Sequence, residues 1–368
     1  MKICHITCAH SRYDVRIFEK ECRSLAKNGN EIYLIVNDDK PDEELHGVKI
    51  VSTGFVPHNR FERFIKSAQR ILDKALRIDA EIYHLHDPEL LRIVKVLLNN
   101  NKKVIFDAHE DTEEQIRDKE WIPSVFRNSV SKLYAQYAYR KMSMAQGVIT
   151  VTPQLVEKFK KYNENTVMVT NYPISNQQQI ESKFQIKAKN YVFFAGGISK
   201  QWCHEYIAQA INKLGNVQYV IAGKSDAQYI DKIKDINANI HYLGMISHQE
   251  VSGYYQNSLA GMAILKCAQV GSDGTLGNTK LFEIMQSGKP VICSDLKLWR
   301  GIVEKYNCGI CVESNNIDEI ANAIRYIESH PIEAEQMGKN GKRAIEQEYN
   351  WESQEKELIG FYNKIGFK

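Results

Sequence analysis

The residues from 270 to 295, VGSDGTLGNTKLFEIMQSGKPVICSD, place a carboxylate and a lysine where a turn opens into a helix. Leu281, Ile284, Met285 and Gly288 recur at helical spacing and predict a buried stripe, which leaves Lys280 and Glu283 on the opposite side near the first turn. Gly288 and Pro290 end that helix before a short strand, Val291–Cys293. Free backbone N–H groups and the positive end of the helix dipole make such a start an anion site. A carboxylate one turn in cannot ligate phosphate, but it can accept hydrogen bonds from paired hydroxyls such as those of a ribose. The pattern therefore predicts a nucleotide diphosphate held by its phosphates and its sugar. The competing reading is a surface loop before an ordinary helix whose Glu is solvated.

Three other segments carry side chains of this kind. Gly196-Gly197-Ile198-Ser199-Lys200 follows an apolar run and precedes a helical one, so its backbone can approach an anion closely. It matches neither GxGxxG nor a Walker loop, which leaves NAD or ATP binding without motif support, and a plain tight turn remains the alternative. In FDAHED (106–111) there is one histidine, whereas metal histidines come in spaced pairs. His109 and Glu110 are read instead as projecting into a cleft to hydrogen-bond hydroxyls. His86 and Asp87 in LHDPELL end a neighbouring strand, although Pro88 and Glu89 also make that stretch a competent helix start. In AHSRYDVRIF, Asp14 is placed to cap the first helix and Arg16 lies in its first turn; Arg12 and Arg16 could bind an anionic acceptor.

The elements that must position these residues alternate. Short apolar strands are expected at Lys2–Thr7, Glu31–Asn37, Ile82–His86, Lys103–Asp107, Val148–Val151 and Val167–Thr170, with amphipathic helices between them. A second series begins with YVFFA (191–195) and continues at 217–222, Ile240–Leu243, Met262–Leu265, Val291–Cys293 and Gly309–Val312. This predicts an α/β chain of two Rossmann-like doubly wound domains, 1–172 and 191–350, joined by a polar linker over 173–190. A terminal helix over 351–368 carries Leu358, Phe361 and Tyr362 at helical spacing and must dock on a neighbour. At 368 residues with 43% hydrophobic and 25% charged content, the chain reads as a soluble two-domain protein. A formal net charge of +3 is far too weak to argue for nucleic acid. No apolar run approaches the roughly 20 residues of a membrane span, and the start MKICHITCAHSRYD is not a signal peptide. The eight cysteines are expected to be reduced thiols, and Cys308-Gly-Ile-Cys311 reads as a strand rather than a zinc or redox motif. Residues 58–77 and 124–141 are amphipathic, with Arg or Lys among Phe and Tyr, a pattern shared by helices on anionic membranes and by solvated basic faces.

Together these segments resemble the retaining glycosyltransferases of family 4, with the two-domain GT-B fold. The likeness runs through DVRIFEKECRSLAKNGNEI (14–32), HLHDPELL (84–91), VIFDAHE (104–110), GVITVTPQL (147–155), NYP (171–173), FFAGGIS (193–199), IAGK (221–224), NTKLFEIMQSGKPVICSD (278–295), CGICVE (308–313) and YNW (349–351). It implies transfer of a sugar from a nucleotide-diphosphate sugar, UDP-sugar by default, to a glycan acceptor, lipid-linked in the leading reading, with retention and without a metal or other cofactor. It also implies a cytoplasmic enzyme, with contact at the cytoplasmic membrane face left open. By the resemblance, Glu283 is the second Glu of the E-x7-E motif and takes the ribose hydroxyls, while Gly196 and Gly197 lie near the diphosphate. Lys200, Lys224 and Lys266 are the candidates for the family's lysine, and Gly277, Asn278 and Lys280 complete the donor site. His109, with Glu110, stands beside the transferred sugar; Asp14, Arg16, His86 and Asp87 are candidates for the acceptor side. The terminal helix would cross back onto the first domain. Two positions depart from the family pattern: Thr275 stands where the first Glu would fall, and Gly197 where an Arg would. Two rivals stand beside this reading: a nucleotide-sugar epimerase, which the same fold also serves, and, from those two departures, a non-catalytic nucleotide-sugar-binding or accessory protein. Release of nucleotide with and without acceptor separates the three.

Overall fold

The computed structural model describes residues 1–59, 62, 66–117, 119, 122–175, 190–237, 239–266 and 273–366. The chain divides into two compact units, Met1–Asn171 with Glu352–Lys368, and Tyr172–Trp351. The linker expected over 173–190 lies mostly outside the described residues, as does part of the amphipathic stretch 58–77.

The first unit is built on an eight-stranded sheet: β1 (Lys2–Ile6), β2 (Glu31–Val36), β3 (Glu43–Leu45), β4 (Val48–Ser52), β5 (Ile82–Leu85), β6 (Lys103–Ala108), β7 (Gly147–Thr150) and β8 (Thr166–Met168), in the order β3-β4-β2-β1-β5-β6-β7-β8. Every pair is parallel except β3–β4. No strand is expected there from the sequence, because EEL and VKIVS are too short and too charged to stand out as apolar runs. Strand order reverses at β1, between β2 and β5, so the ends of β1 and β5 flank the place where ligands of open sheets gather. The first helix does not open as an α-helix. Val15–Cys22 is a π-helical turn capped by Asp14, and Arg23–Lys27 continues it as α-helix. The wider turn carries Arg16, Lys20 and Glu21 on its buried side together with Phe18 and Cys22. The helix Trp351–Gly366 enters this unit through Leu358, Phe361 and Tyr362, all buried. Phe361 fills the space over Gly147, where a Cβ would lie 2.4 Å from its Cζ.

The second unit carries a six-stranded parallel sheet: β9 (Tyr191–Ala195), β10 (Gln218–Ala222), β11 (Ile240–Tyr242), β12 (Gly261–Ala263), β13 (Val291–Ser294) and β14 (Gly309–Val312), in the order β11-β10-β9-β12-β13-β14. Order reverses at β9, and Gly196 follows its last residue. The helix Lys280–Gln286 buries Leu281, Phe282, Ile284 and Met285 in the core of this unit. Cys311 lies on β14 in register with Cys293 of β13, their sulfurs 3.8 Å apart as free thiols. Among the described residues no helix is long and apolar enough to cross a membrane.

Candidate functional site

In the first unit the strand ends converge on a buried polar cluster. His5 on β1 and His84 on β5 stand in register, His86 follows β5, and Asp107 comes from β6. All four side chains are buried, and the π-helical turn lays Arg16 and Glu21 beside them. Arg16 holds both oxygens of Asp107 through Nη2 at 3.0 and 2.9 Å and Nε at 3.2 Å. Its Nη1 donates to the Val169 carbonyl at 2.8 Å, and its Nε lies 3.0 Å from Glu21 Oε1. His109 Nε2 reaches Asp107 Oδ2 at 3.1 Å, and the His109 side chain is 20% exposed. Beside this group Asp87 Oδ2 accepts from Thr7 Oγ1 at 2.8 Å and from the Cys8 N–H at 2.6 Å, with His10 Nδ1 3.1 Å from its other oxygen.

These contacts set the charges. Burial alone would raise the Asp107 carboxyl, but Arg16 and His109 outweigh it and hold it well below the usual range. The same balance, with His10 as the main partner, keeps Asp87 low. Glu21 goes the other way: burial, reinforced by the neighbouring Asp107 charge, raises it well above an ordinary glutamate despite Arg16. Burial depresses His86 to about 4, and burial with histidine neighbours holds His5 and His84 well below the usual value. The cluster thus holds one carboxylate on Arg16, a glutamic acid that keeps its proton above the ordinary carboxyl range, and neutral imidazoles at His5, His84 and His86.

This placement corrects several expectations. Arg16 is only 5% exposed and fully engaged by Asp107, Glu21 and a carbonyl, so its guanidinium is not presented to an acceptor. His86 and Asp87 are each 2% exposed and lie beneath His109 and His10 rather than at the surface. Asp14 caps its helix, its Oδ1 accepting from the Arg16 and Ile17 N–H groups at 2.9 Å. Glu110 turns to the Gln115 amide on the next helix and does not join His109. Arg12 is buried against Asp38 and Glu43. His84, Asp107 and Tyr362 are expected only as members of strand ends or of a packing face, and His5 and Glu21 are not expected at all; the usable signal is histidine, twice, inside otherwise apolar strands (KICHI, IYHL).

Two groups of these side chains bring possible ligand atoms together: His5, Glu21, His84 and His86, and separately His86, Asp107 and His109. In the first, the His84 and His86 rings stack with centroids 4.3 Å apart and planes at 27°. In-plane lone pairs on stacked rings do not converge on one ion. In the second, a cation would sit against the guanidinium that already grips Asp107. Both groups are therefore better fitted to hydrogen bonding than to a metal.

The second unit has a different character. Gly196 leaves β9 with φ +149, and Gly223 leaves β10 with φ +133. A Cβ on Gly223 would sit 1.8 Å from the Gly196 carbonyl oxygen, and a Cβ on Gly196 would sit 2.5 Å from Lys280 Cε. Lys280 therefore lies directly over the glycine turn, and its Nζ also meets Glu283 Oε2 at 2.9 Å. Thr279, the N-cap residue, leaves the helix start without a side-chain cap and donates its hydroxyl to Glu283 Oε1 at 2.5 Å instead. Upstream, Asn278 Oδ1 accepts from the Lys280 N–H at 3.1 Å, and Thr275 Oγ1 accepts from the Gly277 N–H at 3.0 Å. The Thr275 carbonyl is anchored by Trp299 Nε1 at 2.7 Å, and the Asp273 carbonyl by the Leu298 N–H at 3.0 Å. Residues 270–272 of the expected turn lie outside the described residues. Lys200 and Lys224 are exposed on the loops after β9 and β10, and Lys266 is half-buried after β12. Of the lysines named beforehand, Lys280 is the one packed on the glycine turn.

Two open, mostly parallel sheets with switch-point loops of this chemistry are the architecture of the GT-B glycosyltransferases. The chain belongs to the family 4 glycosyltransferases: residues 16–171 match the family described as Glycosyltransferase Family 4, and residues 176–344 match Glycosyl transferases group 1. A D-rhamnosyltransferase, WbpZ of Pseudomonas aeruginosa, is 20% identical over 315 residues, covering 82% of this chain and 75% of that protein. Among solved structures, sucrose-phosphate synthase from Thermosynechococcus elongatus superposes with a TM-score of 0.77 at 16% identity, covering 99% of this chain and 98% of the other. HepE from Anabaena, solved in complex with UDP, gives 0.72 at 11% identity, covering 99% and 100%.

Proposed function

We propose that this glycosyltransferase takes its sugar from a nucleotide diphosphate, with UDP as the first base to test, and passes it to a glycan acceptor. The observation that carries this reading is the arrangement over Gly196. A close-approach glycine, an ammonium at Lys280 and a hydroxyl-accepting carboxylate at Glu283 lie together on one short segment of the second unit. Gly196 admits a phosphate to the backbone, Lys280 supplies positive charge, and Glu283 accepts two ribose hydroxyls. The UDP bound to the HepE neighbour supports a uridine nucleotide.

In the reaction the bond from the anomeric carbon to the diphosphate oxygen breaks and a bond to the acceptor oxygen forms. Negative charge grows on the departing phosphate, where Lys280 stabilises it. The acceptor's proton passes to that phosphate, so the protein need supply neither a metal nor a nucleophile. Retention at the anomeric carbon follows the family resemblance. His109 takes a hydroxyl of the transferred sugar.

A lipid-linked acceptor is favoured by the helix Ser124–Met142, which exposes Val125, Phe126 and Leu133 at 77, 59 and 67% alongside Arg127 and Lys132. An apolar ridge with basic neighbours suits an anionic membrane surface.

Isothermal titration of UDP into the wild type and Glu283→Ala tests the donor site. The substitution should weaken binding about 10- to 100-fold, the equivalent of one hydrogen-bonded charged group, with the melting temperature unchanged. Equal affinities would remove Glu283 from its role.

A further inference from the structure

Asp107 is the point on which the buried cluster of the first unit converges. Its carboxylate is wholly buried at the end of β6 and receives Arg16 on both oxygens. His109 Nε2 lies 3.1 Å and His86 Nδ1 3.4 Å from the same Oδ2. An ionised carboxylate only accepts, so these two ring nitrogens, the ones within 3.5 Å of it, must carry hydrogens. That assignment propagates. With the proton of His86 on Nδ1, its Nε2 is a bare acceptor and takes the N–H of His5 Nδ1 at 2.9 Å. His5 Nε2 is then bare and accepts the Tyr362 hydroxyl at 3.2 Å. The Tyr362 oxygen in turn accepts from His84 Nδ1 at 2.8 Å. The chain ends at His84 Nε2, now a bare lone pair, and this is the one ring nitrogen of the four-residue relay found without a partner. Running every hydrogen bond the other way would leave a buried N–H at His84 Nε2 whose nearest acceptor, Asp107 Oδ2 at 3.8 Å, is beyond hydrogen-bond reach. It would also press a lone pair of His86 against the Asp107 carboxylate. Only one direction satisfies the donors. The 3.4 Å approach of His86 Nδ1 to His109 Nε2 is then two N–H groups sharing one acceptor.

We propose that Asp107 is a positioning residue that holds His109 as its Nε2–H tautomer, so that Nδ1 is presented as a hydrogen-bond acceptor for a hydroxyl of the transferred sugar. This rests on the reading of His109 given above, and it adds the direction of the contact: the sugar donates and the histidine accepts. Among the described residues Nδ1 of His109 has no hydrogen-bond partner, and the ring is kept in place by His10, whose centroid is 5.3 Å away. Arg16, Glu21, His5, His86 and Tyr362 act behind Asp107 and touch no substrate.

The tautomers can be read directly in the ligand-free protein. Histidine-15N-labelled full-length chain is studied by long-range 1H–15N correlation at pH 7.5, with signals assigned through loss in His109→Gln. The expected pattern is the proton on Nε2 for His109 and on Nδ1 for His5, His84 and His86. In Asp107→Asn, Arg16 keeps the amide oxygen, the amide N–H turns to His109, and its proton moves to Nδ1. A wild-type His109 protonated on Nδ1 or on both nitrogens overturns the proposal, and so does an unchanged His109 in a folded Asp107→Asn. Should that variant fail to fold, the wild-type spectrum decides alone. No nucleotide is present, so this result is independent of the Glu283 titration: an unaffected UDP affinity there removes the donor site while leaving the tautomers as they are.

Discussion

The carboxyl ends of the two sheets hold polar chemistry in opposite ways. In the first unit the strand ends are filled with ionisable side chains that satisfy one another below the surface, with His109 and His10 partly exposed above them. In the second unit the strand ends are emptied. Glycines at 196 and 223 bring two backbones together, and the charged pair Lys280–Glu283 stays half-buried on the adjoining helix. A site that fixes one hydrogen-bond direction needs a rigid network behind it. A site that admits a diphosphate needs open backbone and a mobile ammonium, which is what a lysine at a glycine turn offers. The contrast is between a preorganised hydrogen-bond network and reserved space.

The sharpest way to break that contrast is to remove one cation from each unit. Arg16→Met leaves Asp107 buried without its main partner and should destabilise the protein by about 3–5 kcal/mol in urea titration. Lys280→Met removes one member of a half-exposed pair three residues apart on a helix and should change stability by less than about 0.5 kcal/mol. If both variants lose similar amounts, the two units do not differ as argued.

A smaller effect with an unusual sign follows from Glu21. Its native carboxyl titrates well above the ordinary value, with burial the largest cause and Asp107 adding to it, so it is protonated where the unfolded chain's glutamate is ionised. For a raised acid, the stabilising contribution is complete below the unfolded value of 4.5 and is lost as pH rises towards the native value. Glu21→Gln copies the protonated form and removes this dependence. The variant should match the wild type near pH 4.5 and gain on it as the pH rises towards the native value of Glu21, beyond which the gain levels off. Urea midpoints at several pH values measure it. A variant less stable than wild type at pH 7 would mean that Glu21 is an ionised partner of Arg16 after all.

How much of this could be read beforehand depended on where the information resides. The alternation of apolar runs with helical periodicity marks twelve of the fourteen described strands, among them β1 and β9, and the helix Lys280–Gln286, because period and burial are written locally. The glycine turn and Glu283 were legible for the same reason: each is a short motif whose neighbours in sequence are its neighbours in space. The first unit's network was not. Asp107 meets Arg16 across 91 residues and His84 meets Tyr362 across 278, so nothing local marks them as partners. Arg16 looked like a surface cation for the same reason, and only the π-helical turn that swings it inward shows otherwise. Lys280 is a donor-site candidate in the sequence beside Lys200, Lys224 and Lys266, but that it lies over Gly196, 84 residues away, is not written locally.

The smallest test works on space alone. Gly223 has φ +133 and its absent Cβ would meet the Gly196 oxygen at 1.8 Å, a backbone collision that no rotamer change relieves. Gly197 has no left-handed φ, and a Cβ there meets nothing within 4 Å. Gly223→Ala should therefore destabilise by about 1–3 kcal/mol and shift the Gly196 turn, with UDP binding weakened in calorimetry. Gly197→Ala should stay within about 0.5 kcal/mol of wild type and keep its affinity. Adjacent strand-end glycines would then separate into one that shapes the turn and one that merely lines it, and equal losses at both would show that the second unit's open space is set by something other than the approach of β9 to β10.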